Sequence, residues 1–231
     1  MTVKSGDISI RVQEIRNPGS TIVHGNSARP EGSYIFFKRG LDLSVSILLA
    51  GGILSWLMPL LALLIKVDSR GPVFFLQKRI GRGGRVFTCY KLRTMIINRH
   101  ADERPALEND KRITRVGAFL RRSHLDELPQ ILNVLWGSMS LVGPRPYMLA
   151  DEDRFSSIVP DHQLRNMVKP GITGLAQIKG YHGHPALDLT TIVRRSQWDG
   201  FYVRNASLLM DLQILQKTIR LFLTQKMSLC K

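Results

Sequence analysis

Cysteine, aromatic residues and negative charge are all scarce in this chain of 231 residues. Its two cysteines, Cys89 and Cys230, stand far apart, so neither a disulfide framework nor a zinc cluster can be built from them, and a reducing compartment suits the composition. Aromatics amount to 7% and do not interleave with the basic stretches, which argues against stacking on nucleic-acid bases. Eighteen Asp and Glu face 33 Lys and Arg, for a net charge of +15. That balance calls for an anionic partner, of which phosphorylated substrates and anionic lipids remain once nucleic acid is set aside. No secretory signal is expected, because the first apolar run begins only after about forty residues and lacks a small-residue cleavage site. The apolar fraction of 44% excludes wholesale disorder, and no repeat or low-complexity tract is present.

What the chain does contain is one long uncharged run. Residues 1–32 are polar and read as a poorly ordered tail. From Leu43 to Ile65 no charged residue occurs over 23 positions, long enough to cross a bilayer as a helix. Pro59 lies inside the run with Gly51-Gly52 upstream, so a kink or break is expected. Both flanks are basic: six Lys and Arg against three acids in residues 1–40, and 27 against 14 in residues 66–231. The positive-inside rule then puts both flanks on the cytoplasmic side, as a broken helix entering and leaving by one face would require. A straight spanning helix remains open at this stage. Asp42 is placed to pair with Lys38 or Arg39 at helical spacing.

Residues 73–93 read as a β-hairpin, with β-branched and aromatic runs joined by GRGG at 81–84. That loop is a weak phosphate-loop signal and more simply a turn. Lys91 and Arg93 leave the second strand on one face by alternation. Residues 98–112 form a charged surface segment, and Lys169-Pro170-Gly171-Ile172-Thr173-Gly174 is a turn-rich loop with phosphate-binding potential of its own. His182 and His184 sit in a Gly/Pro loop without further ligands, which is an ordinary loop more often than a metal site. In the C-terminal stretch Leu208, Leu212, Leu215, Ile219 and Phe222 recur at helical spacing, leaving core packing and membrane attachment both open.

The densest chemistry lies between Val116 and Tyr147. Leu128, Ile131, Leu132, Leu135 and Trp136 mark one face of a helix that Gly137 would stop, with Asp126 at the N-cap position. The plain reading makes Asp126 a cap and Glu127 a partner for the helix dipole. Arg121 and Arg122 before the pair, and Arg145 bracketed by Pro144 and Pro146 after it, point instead to an anion site. Carboxylates among phosphate-binding groups serve as metal ligands or as a nucleophile.

Taken together, Lys38-Arg39-x-x-Asp42, Gly71-Pro72-Val73-Phe74, Lys91-Leu92-Arg93-Thr94-Met95, Leu125-Asp126-Glu127-Leu128-Pro129-Gln130, Gly143-Pro144-Arg145-Pro146 and the Lys169 to Gly174 loop resemble the bacterial sugar transferases, the monotopic polyprenol-phosphate phosphoglycosyl transferases. The resemblance runs from about Ser33 to about Lys226 and implies an α+β, mainly helical fold. Its parts would be a re-entrant membrane helix over 33–66 broken at Met58-Pro59, a small hairpin, and a cytoplasmic catalytic domain over 67–231 on the inner membrane. It is similar to the small, core-only type. It implies Asp126 as nucleophile toward a UDP-sugar, with undecaprenyl phosphate as acceptor and UMP as the departing product. Arg121, Arg145, Lys91 and Arg93 would bind phosphate, and Mg²⁺ would lie on Asp126 and Glu127. Glu127 as a general base is the other option, although a phosphate acceptor already ionised near neutral pH hardly needs one. Trp198 to Ser207 followed by Met210-Asp211-Leu212 resembles the hexose-specific exopolysaccharide branch, so UDP-glucose or UDP-galactose is the expected donor. A homo-oligomer is left open. The competing reading is a membrane-tethered basic binding or scaffold protein without catalysis.

Overall fold

A computed structural model describes residues 32–97, 110–181 and 189–229, and the side chains of those residues up to 224. The N-terminal tail, most of the charged 98–112 segment, the His182/His184 loop and Cys230 lie outside the described residues.

The apolar run forms a single helical rod, Gly32–Asp68, long and apolar enough to cross a membrane. It consists of α1 (Gly32–Leu49), a wider π-helical turn (Ala50–Leu54) and α2 (Ser55–Asp68). The expected break at Met58-Pro59 is displaced upstream: Pro59 sits inside α2, and the departure from α geometry falls over Ala50–Leu54. The turn holds Gly51-Gly52, poor helix formers, while the carbonyl that the Pro59 ring crowds, that of Ser55, lies just past it. Hydrogen bonds from the Ser55 hydroxyl to the Gly51 carbonyl (2.6 Å) and from the Trp56 indole to the Gly52 carbonyl (2.8 Å) serve the loosened backbone. Most apolar side chains of the rod, Leu48, Trp56, Leu63 and Val67 among them, point outward, which excludes a buried core helix. Its two limbs both return to the protein body, α1 through Asp42 and Ser46, α2 through Leu61 and Ile65.

Asp42 does not pair along its own helix as its spacing implied. Its carboxylate accepts from the Leu141 amide (2.9 Å) and the Ser140 hydroxyl (3.1 Å). Its neighbours reach elsewhere, Lys38 to Asp211 (2.7 Å) and Arg39 to the carbonyls of Val134 and Leu135 (2.6 and 2.8 Å). Burial of these groups against the body outweighs the small gain of an exposed pair along the helix.

The hairpin forms as expected, β1 (Phe74–Ile80) antiparallel to β2 (Val86–Leu92), with GRGG as the turn. Next come α3 (Arg115–Arg122), a 3₁₀ turn at Leu125–Glu127 and α4 (Gln130–Trp136), which ends at Gly137 with φ 84° as the sequence implied. The buried face of α4 is rotated from the expected one: Gln130, Ile131, Asn133 and Val134 are inside, and Trp136 is exposed. Asn133 accounts for the difference, because its side chain accepts from the Tyr90 amide (3.0 Å) and donates to the Thr88 carbonyl (2.7 Å), tying α4 to the edge of β2. Beyond lie β3 (Ser140–Val142), α5 (Leu149–Ile158), β4 (Gly171–Thr173) parallel to β3, α6 (Leu175–Ile178), α7 (Leu189–Asn205) and α8 (Leu208–Leu229). The largest core joins Val134, Met139, Leu141, Leu175, Tyr202 and Ile214. In α8 the inward residues are Asp211 and Ile214, so Leu212, Ile219 and Phe222 of the expected stripe remain outside.

Candidate active site

Two short devices bring the acidic pair to the hairpin. Gly117 lets α3 press on the backbone of Thr94, where a Cβ would collide with the Thr94 carbonyl. From that position Arg121 donates through Nε to the Thr94 hydroxyl (2.8 Å). His124, with φ 55°, then reverses the chain between α3 and the turn that carries Asp126 and Glu127. The expected N-cap role of Asp126 is not realised: α4 starts after Pro129, and no side chain caps it. A 3₁₀ turn occupies the place of the first helical turn, so the Asp126 carboxylate is left without a hydrogen bond among the described residues.

The two carboxylates differ sharply. Glu127 accepts a two-pronged contact from Arg145 (2.6 and 3.1 Å) and a third bond from Lys91 (2.9 Å). Burial alone would raise its pKa, but Arg145 and Lys91 outweigh that and hold the carboxyl well below the usual range. Arg145 is driven upward in turn, chiefly by Glu127. For Asp126 the balance has the opposite sign. Burial and the neighbouring Glu127 charge raise its pKa, and Lys91, Arg121 and Arg145 only partly offset them.

Of the residues singled out from the sequence, Asp126, Glu127, Lys91, Arg121 and Arg145 converge here. Arg93 does not take the role expected of it. It turns away from Lys91 and donates to the Ser69 and Arg70 carbonyls and the Ser69 hydroxyl (2.7 to 3.0 Å), fastening the end of α2. Alternation along a strand fails here because Arg93 lies just past the end of β2. Met58 packs with the core beneath α3, as does Leu57.

Sequence reasoning missed the network that aims Arg145. Arg165 donates to the Arg145 carbonyl, stacks over the Tyr147 ring (3.7 Å to its centroid) and pairs with buried Asp199 (3.3 Å). Nothing in the polar stretch around Arg165 signals that position, since its partners lie about twenty to thirty-five residues away on either side.

A magnesium site on Asp126 and Glu127 has the right chemistry, two hard oxygen donors. Glu127, however, has both oxygens engaged by cations, so of the pair Asp126 is the carboxylate with oxygens open to an ion. No cluster of three or more His, Cys, Asp or Glu capable of holding a metal occurs among the described residues.

A basic, partly buried cluster with one open and one neutralised carboxylate carries the charge to receive phosphate groups. The sequence profile of the bacterial sugar transferases matches residues 33–225, and the chain belongs to that family. It is 44% identical over 201 residues to the UDP-N-acetylgalactosamine-undecaprenyl-phosphate N-acetylgalactosaminephosphotransferase of Aeromonas hydrophila, covering 86% of this chain and 46% of the relative. It is 47% identical over 174 residues to the UDP-glucose:undecaprenyl-phosphate glucose-1-phosphate transferase of Xanthomonas campestris pv. campestris, covering 74% and 35%. With the exopolysaccharide production protein PSS of Rhizobium leguminosarum bv. phaseoli the identity is 41% over 192 residues, covering 80% and 94%. The chain therefore spans less than half the length of the first two relatives and most of the third.

Proposed function

We propose that this chain transfers a hexose 1-phosphate, glucose or galactose first among the donors, from a UDP-sugar to undecaprenyl phosphate at the cytoplasmic face of the inner membrane. In this reading it performs the first membrane step of exopolysaccharide synthesis. The observation that carries the reading is the contrast within the acidic pair: Asp126 unengaged and Glu127 bound by two cations.

A carboxylate oxygen of Asp126 attacks the β-phosphorus of the UDP-sugar. The bond from that phosphorus to the bridging oxygen breaks, and UMP leaves with the electron pair. An oxygen of undecaprenyl phosphate then attacks the same phosphorus, and the acyl-phosphate bond breaks to restore Asp126. One difficult transfer is thereby divided into two. Neither step requires a proton to be taken from a nucleophile. Glu127 is unsuited to the role of base, because Arg145 and Lys91 hold it ionised far below neutral pH. Its role in this reading is to fix Lys91 and Arg145 beside Asp126, where with Arg121 they offset phosphate charge. Mg²⁺ held by Asp126 and substrate phosphates would withdraw further charge from the phosphate oxygens.

The membrane helix serves this chemistry as a re-entrant rod. Its support is that both limbs pack on neighbouring elements of one body, α1 against α4 and α2 against α3. Thiol labelling of Ser33→Cys and Lys217→Cys in intact cells tests it. Both positions should react only with permeant reagent; Ser33→Cys labelled from the periplasm means a spanning helix. The activity itself is tested by UMP release from UDP-glucose, UDP-galactose and UDP-N-acetylgalactosamine, with Mg²⁺ and undecaprenyl phosphate, beside Asp126→Asn. Release from one donor that the variant lacks is the expected result. No release from any donor by folded protein favours the binding or scaffold reading.

A further inference from the structure

Two loops with weak phosphate-loop character, GRGG at 81–84 and Lys169-Pro170-Gly171, lie far apart in the sequence and meet in the fold. Arg82 and Lys169 line both an open groove, floored by Trp136 and Gly137, and an adjoining cavity of about 210 Å³ at the base of α1. We infer that this groove and cavity form a headgroup site for an anionic phospholipid of the surrounding bilayer, separate from the Asp126 site.

Charge is the first argument. Lys38, Arg39, Arg82 and Lys169 line the cavity against a single carboxylate, Asp42. Asp42 is already bonded to Leu141 and Ser140, Lys38 is paired with Asp211, and Arg39 is engaged with helix carbonyls. Among the described residues no hydrogen bond or ion pair engages the side chains of Arg82, Arg85 or Lys169. Lys169 and Arg39 converge on Gly137, each placing a nitrogen 3.4 Å from where a Cβ would stand. Burial and the nearby Arg39 and Arg82 charges push the Lys169 ammonium down, the response of a cation in a field left short of anions.

The walls select a lipid over a soluble anion. Ile35, Met167 and Val168 line the cavity, and Phe36 and Phe37 on the same turn of α1 are 76% and 61% exposed. The uncharged run begins at Leu43, less than two helical turns on, so a phosphodiester held by Arg82 and Lys169 would have its acyl chains beside the apolar rod. The site is distinct from the reaction centre: Arg85, just before β2, and Lys91 near its far end are six residues apart, roughly 20 Å of extended chain.

The test uses the purified full chain in neutral detergent. Short-chain phosphatidylglycerol, phosphatidylcholine and inorganic phosphate are titrated in turn, and Tm is followed. Phosphatidylglycerol should raise Tm, with phosphatidylcholine and inorganic phosphate giving less than a third of that shift. Arg82→Gln, an exposed turn residue that should fold normally, and Arg82→Gln with Lys169→Gln should cut the shift at least twofold and fourfold. An undiminished shift in both variants, or an equal shift from inorganic phosphate, overturns the proposal. Asp126→Asn should keep the full shift, so failure of this site and failure of the catalytic reading are separable.

Discussion

Asp211 and Asp126 are both partly or wholly withdrawn from water among basic neighbours, and the fold treats them in opposite ways. Asp211 is fully buried and saturated, accepting from Lys38 (2.7 Å), Tyr34 (2.9 Å) and Tyr202 (2.7 Å), and so fastens α1, α7 and α8 together. Asp126 has three cations near it and a bond to none among the described residues. Buried carboxylates normally find partners, because leaving one unpaired costs stability. A carboxylate kept open next to one fully engaged, Glu127, is in the proposed reading the place where a ligand completes the arrangement. Saturation, not residue type, separates the fastener from the proposed nucleophile.

The most severe break in that comparison is Asp126→Asn. UMP release should fall at least about 10³-fold, because an amide cannot form the acyl phosphate. Stability should move the other way. The folded pKa of Asp126 lies above its unfolded value, so its ionisation opposes folding, a cost that grows as pH rises through the unfolded pKa and persists at neutral pH. Removing the charge should raise Tm near pH 7. A variant both inactive and less stable would mean that the carboxylate is a structural fastener after all.

Asp211→Asn is the converse and should be next in size. Lys38, only 14% exposed, would lose its counter-charge, at a cost of roughly 3 kcal/mol as for a broken buried pair. The turnover of the protein that remains folded should stay within about twofold of the parent, measured as UMP release per folded molecule. A large fall in turnover with stability unchanged would transfer Asp211 to the reacting centre.

Particular residues show how far this contrast could be read beforehand. The apolar run, the hairpin with its GRGG turn and the Gly137 stop were legible because each depends on local periodicity or a single backbone preference. Asp126, Glu127, Lys91, Arg121 and Arg145 could be named, but not their division of labour, since Arg145 reaches Glu127 across 18 residues and Lys91 across 36. Arg93, Asp42 and the inward face of α4 were misjudged for one reason. Each followed a one-element pattern, while backbone groups of another element claimed the side chain. Arg165 was invisible because its partners Arg145, Tyr147 and Asp199 come together only in the folded protein.

The smallest effect concerns the electrostatic setting of Asp126. Attack requires the ionised carboxylate, and its raised pKa places the acid limb of the first half-reaction above the usual carboxylate range, about 3.9. The rate should therefore decline as pH falls through that raised value. Measurement by single-turnover UMP release without undecaprenyl phosphate is essential, because the acceptor's own second ionisation, near pH 6 for a phosphate monoester, would otherwise overlay the profile. Arg121 is one of three cations that lower the Asp126 pKa. Arg121→Gln should leave the profile's shape intact and move the limb upward, since losing a cation makes the anion harder to form. Arg121 also bonds Thr94, so Thr94→Val serves as a comparison that keeps the charge and loses the contact. A limb that moves in Thr94→Val as much as in Arg121→Gln would assign the effect to the placement of α3. Movement in Arg121→Gln alone assigns it to charge, the quantity that separates the open carboxylate from the saturated one.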